Sequence, residues 1–175
     1  MVPDRYRPVI EECDRLLAEL ERLVAASPEG AVHDRLDGVR AGVAETIEEA
    51  VVAAIRAAEI DRLAVTVDVE AVTAPYKAAK SRADQVARSG DVPQDLATSL
   101  DSLRRQHESG QRLLNAVEET GEQLVAVRTR LSEIVLSAGE LTFGSSQGAL
   151  EAAEEQAAAL ATDVHLLREA LVSLR

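Results

Sequence analysis

Leu150-Glu-Ala-Ala153-Glu-Glu-Gln-Ala157-Ala-Ala-Leu160-Ala-Thr-Asp-Val164-His-Leu-Leu167-Arg-Glu-Ala-Leu171-Val-Ser-Leu174 repeats aliphatic side chains at alternating intervals of three and four. That alternation is the seam of one helix zipped against another. Its Ala half permits close approach. Its Leu half holds most of the binding energy, about 1.5–3 kcal/mol for each leucine fully buried.

Upstream, residues 94–143 carry the same rhythm. Leu96, Leu100, Leu103, His107, Gly110, Leu114, Val117, Gly121 and Leu124 recur four, three, four, three, and the face continues through Val127, Leu131, Ile134, Ala138 and Leu141. About fifty residues at about 1.5 Å each extend about 75 Å, longer than a compact domain of this size would be wide. Gly144-Ser145-Ser146 interrupts this helix, and either serine can cap the last one. The final helix is too short to cover all of its neighbour. Leu96, Leu100, Leu103 and His107 are therefore left to the third helix, the N-terminal hairpin or another molecule.

Nearer the N-terminus, Tyr6, Ile10, Cys13, Leu16, Leu17, Leu20 and Val24 lie on one face of a helix expected over Asp4–Ala26. Ser27-Pro28-Glu29 reads as a fresh start with a hydroxyl N-cap. The turn is then very short, which favours antiparallel neighbours. A second helix is expected from about Pro28 to about Leu63, with Gly38 and Gly42 marking a close approach of another backbone. Residues 64–75 read as a bend with Asp68 as a cap: Val65, Val67 and Val69 alternate as in a strand, but a lone strand is unstable. Pro75 either starts the third helix after Thr73 or kinks one begun near Asp68. Gly90 is expected to end it in a left-handed conformation. The fold class is all-α: an elongated antiparallel bundle of about five helices with coiled-coil character, a single domain over residues 1–175 with a subdivision at 67/68. The two hairpins share a plan but no sequence repeat.

Composition agrees. Ala, Leu, Val and Ile supply 76 of 81 apolar residues, and only Tyr6, Tyr76 and Phe143 are aromatic. An Ala-rich core suits closely packed helices, where a sheet would want more β-branched and aromatic side chains. With 19 basic and 31 acidic residues the net charge is −12. A phosphate-backbone binder needs a positive footprint, and base stacking needs aromatic faces, so nucleic acid is excluded as partner. The longest wholly apolar run, Ala50–Ile55, is too short to span a bilayer. The first eight residues carry charges where a signal peptide would be apolar, and one cysteine forms no intrachain disulfide. These features predict a cytoplasmic protein.

The chemical inventory is thin. His33, His107 and His165 are far apart, no Glu-x-x-His occurs, and zinc needs convergent ligands. No metal or cofactor is therefore expected. Adjacent acids such as Glu118 and Glu119 point about 100° apart on a helix and do not converge. Cys13, on an apolar face, reads as a small hydrophobe. His107 occupies a core-type position, where one polar residue can fix pairing register. Lys77, Lys80, Arg82 and Arg88 make residues 68–90 the one net-positive segment. A non-enzymatic structural or adaptor protein is expected, working by helix–helix association with a protein partner, first of all itself as a homo-oligomer. Its candidate interface is Leu96, Leu100, Leu103, His107, Leu114, Leu160, Leu167 and Leu174. Two alternatives are a regulator holding a small apolar molecule near Gly110 and Gly121, and a cytoplasmic accessory of a membrane complex.

Overall fold

The structure, a computed structural model, describes residues 2–66, 69–143 and 147–173. Among these are five α-helices and no strand: α1 (Arg7–Ala26), α2 (Ala31–Thr66), α3 (Val69–Ala87), α4 (Gln94–Phe143) and α5 (Gln147–Ser173). The all-α class and the helix number are those expected. Two compact units result, Met1–Ala57 with Glu119–Arg175, and Ala58–Glu118. The expected boundary at 67/68, the Asp68 cap and the Ser145 or Ser146 cap lie outside the described residues.

In the first unit, α1 begins where Pro8 suits the first turn, since proline lacks an N–H and that group would find no partner in the helix anyway. At its other end the expectation for Ser27 is overturned. Its side chain closes α1 rather than opening α2: Oγ donates to Val24 O at 2.7 Å. With that proton committed, the hydroxyl accepts from His33 Nδ1 at 2.9 Å. α2 starts at Ala31, later than expected, because Gly30 first turns the chain at φ +141°, a conformation open to glycine alone without strain.

Four helical segments pack their apolar stripes together here. Ile10, Cys13, Leu20 and Val24 of α1 are buried, as are Leu36, Val43 and Ile47 of α2, Leu124, Leu131 and Ile134 of α4, and Leu150, Leu160, Val164 and Leu171 of α5. Ala50, Ala53, Ala54 and Ala57 are buried on α2, and their small side chains let neighbouring helices come close. Tyr6 is buried and lies over Gly121, 3.8 Å from where a Cβ would stand. Buried Thr46 is satisfied by donating to Gly42 O at 2.8 Å.

The chain directions follow from cross-helix pairs. Arg35 meets Glu154 and Glu49 meets Arg168, each pair 119 residues apart, so α2 and α5 run parallel. Arg130 meets Asp163 at 2.9 Å, and Ala126 and Leu167 line one groove. Partner numbers fall on one helix as they rise on the other, so α4 and α5 run antiparallel.

In the second unit, α3 runs antiparallel to the first half of α4. Val69 sits against Gly110, while Thr73 and Tyr76 sit against His107. α3 begins at Val69 and contains Pro75, so the helix starts before the proline and not at it. The left-handed stop expected of Gly90 is overturned: the positive-φ glycine among the described residues is Gly30. α3 ends instead through Ser89 and Gly90 N–H groups donating to Val86 O at 2.9 and 3.0 Å. Ser89 Oγ donates to the same carbonyl at 3.0 Å.

Candidate interaction surface

The candidate interface residues divide into two groups. Leu160 and Leu167 are buried within the first unit, so the chain's own core already covers their side chains. Leu96, Leu100, Leu103, His107 and Leu114 of α4 are only half-buried. Leu174 lies outside the described residues. The two heptads are alike as sequences, but one is enclosed by three neighbouring helical segments and the other by fewer.

His107 is held by α3. Its ring stacks on Tyr76 with centroids 4.9 Å apart and planes 22° apart, and Nδ1 lies 3.3 Å from Thr73 Oγ1. One turn on, Gly110 is buried beneath Val69, whose Cγ2 and Cβ lie 2.9 and 3.2 Å from the position a Cβ would take. Glycine is needed here because the helices approach so closely. Val69 fills the space at Gly110 and the Tyr6 ring lies over Gly121, the two places considered for a small-molecule pocket.

Gly38 and Gly42 behave otherwise. The expected close backbone approach is absent, since nothing lies within 4 Å of a Cβ built on either. They open a groove of about 460 Å³ between α2 and α5, lined also by Val39, Ala157, Arg35 and Glu154.

The polar candidates are dispersed. Burial pushes the Cys13 thiol up to about 11, helped by Asp14 and Glu12 and opposed by Arg128. His33 is tied to Ser27, and His165 is exposed beside Glu169 at 3.5 Å. Arg104 and Arg105 both pair with Asp101, at 2.7 and 2.8 Å. Among the described residues no cluster of three His, Cys, Asp or Glu stands ready for a metal ion, and no helix is long and apolar enough to cross a membrane.

One feature of α4 escaped the sequence reading. Val125 and Leu136, exposed at 47% and 66%, lie on its outer side among the exposed carboxylates Glu122, Glu133 and Glu140. Intervals of three, four, four, three and four connect Glu122, Val125, Thr129, Glu133, Leu136 and Glu140, a second stripe that the stronger heptad opposite it concealed. Lys77, Lys80 and Arg82 are exposed on α3 and Arg88 just beyond its end, and among the described residues none of the four makes an ion pair.

Comparison with protein-family models, with curated proteins and with solved structures finds no match.

Proposed function

We propose that this chain is a non-enzymatic structural or adaptor protein that works by helix–helix association with a second copy of itself. One observation carries the reading. The heptad of α5 is buried through Leu150, Leu160, Leu167 and Leu171, whereas the equivalent stripe at the start of α4, Leu96, Leu100 and Leu103, is half in water. An apolar heptad with room beside it is what a further helix would cover. The dispersed histidines and the buried, protonated Cys13 support the non-enzymatic side, since a nucleophile needs a thiolate and a base within reach. An unpaired buried thiol also suits a reducing cytoplasm.

Light scattering on a size-exclusion column tests this. Wild type is expected to elute as a dimer or larger. Leu96→Lys with Leu103→Lys should elute at a lower mass than wild type with unchanged helicity. A wild type that is monomeric throughout the micromolar range would sink the reading.

A further inference from the structure

The outer face of α4 pairs two unusual features. It leaves two large aliphatic side chains in water, Val125 and Leu136, and surrounds them with carboxylates that make no ion pair among the described residues, Glu122, Glu133 and Glu140. The exposed face of α3 is its complement. Lys77 and Lys80 stand there, with Arg88 just past the helix end, all without an ion pair among the described residues; the single carboxylate of Asp84 lies among them, and the exposed residues beside Lys77 are small, Ala74 and Ala78. One face offers large apolar knobs between negative charges. The other offers shallow sites between positive ones.

We propose that the outer face of α4 docks on the cationic face of α3 in a second copy of this chain, so that copies join head to tail. The charge distribution favours this occupant. Residues 58–118 hold eight basic and ten acidic side chains, whereas the rest of the chain holds eleven basic and twenty-one acidic. Pairing α3 with α3 would oppose cations to cations, and pairing the α4 face with itself would oppose carboxylates to carboxylates. Only the unlike pairing brings opposite signs together, and like-charge juxtaposition is what suppresses wrong pairings. Each copy carries one face of each kind, so a joined pair still presents one free face of each kind. The interface is heterologous and adds copies until it closes or runs on.

The inference rests on the reading of the chain as an association module, but uses surfaces separate from the α4 leucines. Sedimentation velocity separates the two. One variant carries Lys77→Glu, Lys80→Glu and Arg88→Glu; the other carries Glu133→Lys and Glu140→Lys. These side chains are exposed and form no ion pair among the described residues, and circular dichroism checks that helicity is retained. At about 50 mM NaCl each variant alone should show a lower mean mass than wild type, and the difference should vanish towards about 500 mM as charges are screened. An equimolar mixture of the two should rise above the average of its components, because the intact α3 face of one meets the intact α4 face of the other. A mixture that equals that average overturns the head-to-tail contact. If the charge variants associate like wild type while the Leu96 and Leu103 variant does not, only this inference fails. A wild type that never associates removes both.

Discussion

Arg35 holds Glu154 with both ends of its guanidinium: Nε donates to Oε1 at 2.7 Å and Nη2 to Oε2 at 2.5 Å. Fourteen residues further along each helix the signs are exchanged, and Arg168 of α5 donates to Glu49 of α2 at 3.0 Å. That exchange fixes direction. Were α5 reversed against α2, Arg35 would face Arg168 and Glu49 would face Glu154. Two exposed pairs add little to stability individually. Their arrangement selects the parallel pairing against its alternative.

The Arg35–Glu154 pair should titrate with a definite sign. The Arg35 guanidinium, hydrogen-bonded to it, holds the Glu154 carboxyl below the usual carboxylate range. A carboxyl lowered in the folded state contributes stability that is present above its unfolded pKa and lost as pH falls through the folded one. Arg35→Ala should therefore lower Tm slightly at neutral pH, and the deficit should close in acid. The exchange Arg35→Glu with Glu154→Arg should recover most of the neutral-pH loss in thermal melts. A deficit independent of pH would show that packing, and not charge, was removed.

Truncating equivalent leucines of the two heptads should give unequal losses. Leu160 is fully buried, so Leu160→Ala should cost about 2–5 kcal/mol in urea unfolding. Leu100 is half-buried and should cost about 1 kcal/mol as a monomer. Equal losses at low protein concentration would mean that the start of α4 is enclosed after all.

How legible these features were depends on how local their causes are. α4 spans Gln94 to Phe143, the residues the periodicity suggested, and begins directly after Pro93. The α5 heptad was legible because side chains three and four apart share a face whatever lies opposite. A partner's position is not written in such a pattern. Leu160 and Leu100 look alike in the sequence, and only the number of neighbouring helices separates them. Ser27 was misplaced for a similar reason: a hydroxyl beside a turn can serve the helix before it or the one after, and His33 and Gly30 tip the outcome. The outer stripe through Val125 and Leu136 was legible in principle, but it runs on a helix whose opposite face has the stronger signal.

Cys13 should make stability fall on the alkaline side. Its thiol is pushed up to about 11 by burial, with Asp14 and Glu12 adding to the rise and Arg128 resisting it, while in the unfolded chain it ionises nearer 8.5. A group raised in the folded state contributes fully below its unfolded pKa, and the contribution is lost as pH rises towards about 11. Cys13→Ala should lose some packing but show a flatter alkaline decline. Alkylation of the native protein near neutral pH should be slow, and fast once urea unfolds it. Rapid native alkylation would contradict the burial.

The sharpest contrast concerns two glycines of identical helical propensity. Gly→Ala within a helix gains about 1 kcal/mol where space is free. Gly38 has nothing within 4 Å of an added Cβ, so Gly38→Ala should raise stability by about that amount. At Gly110 the same methyl would meet Val69, closer than van der Waals contact allows. Valine is stiff at χ1 and cannot simply swing aside, and overpacking typically costs about 1–3 kcal/mol. Gly110→Ala should therefore be destabilising despite the better propensity, and Val69→Ala in the same chain should relieve it. That relief, read as a non-additive double-mutant cycle in urea, identifies the contact itself. If Gly110→Ala instead stabilises as Gly38→Ala does, α3 does not lie against α4 at this point.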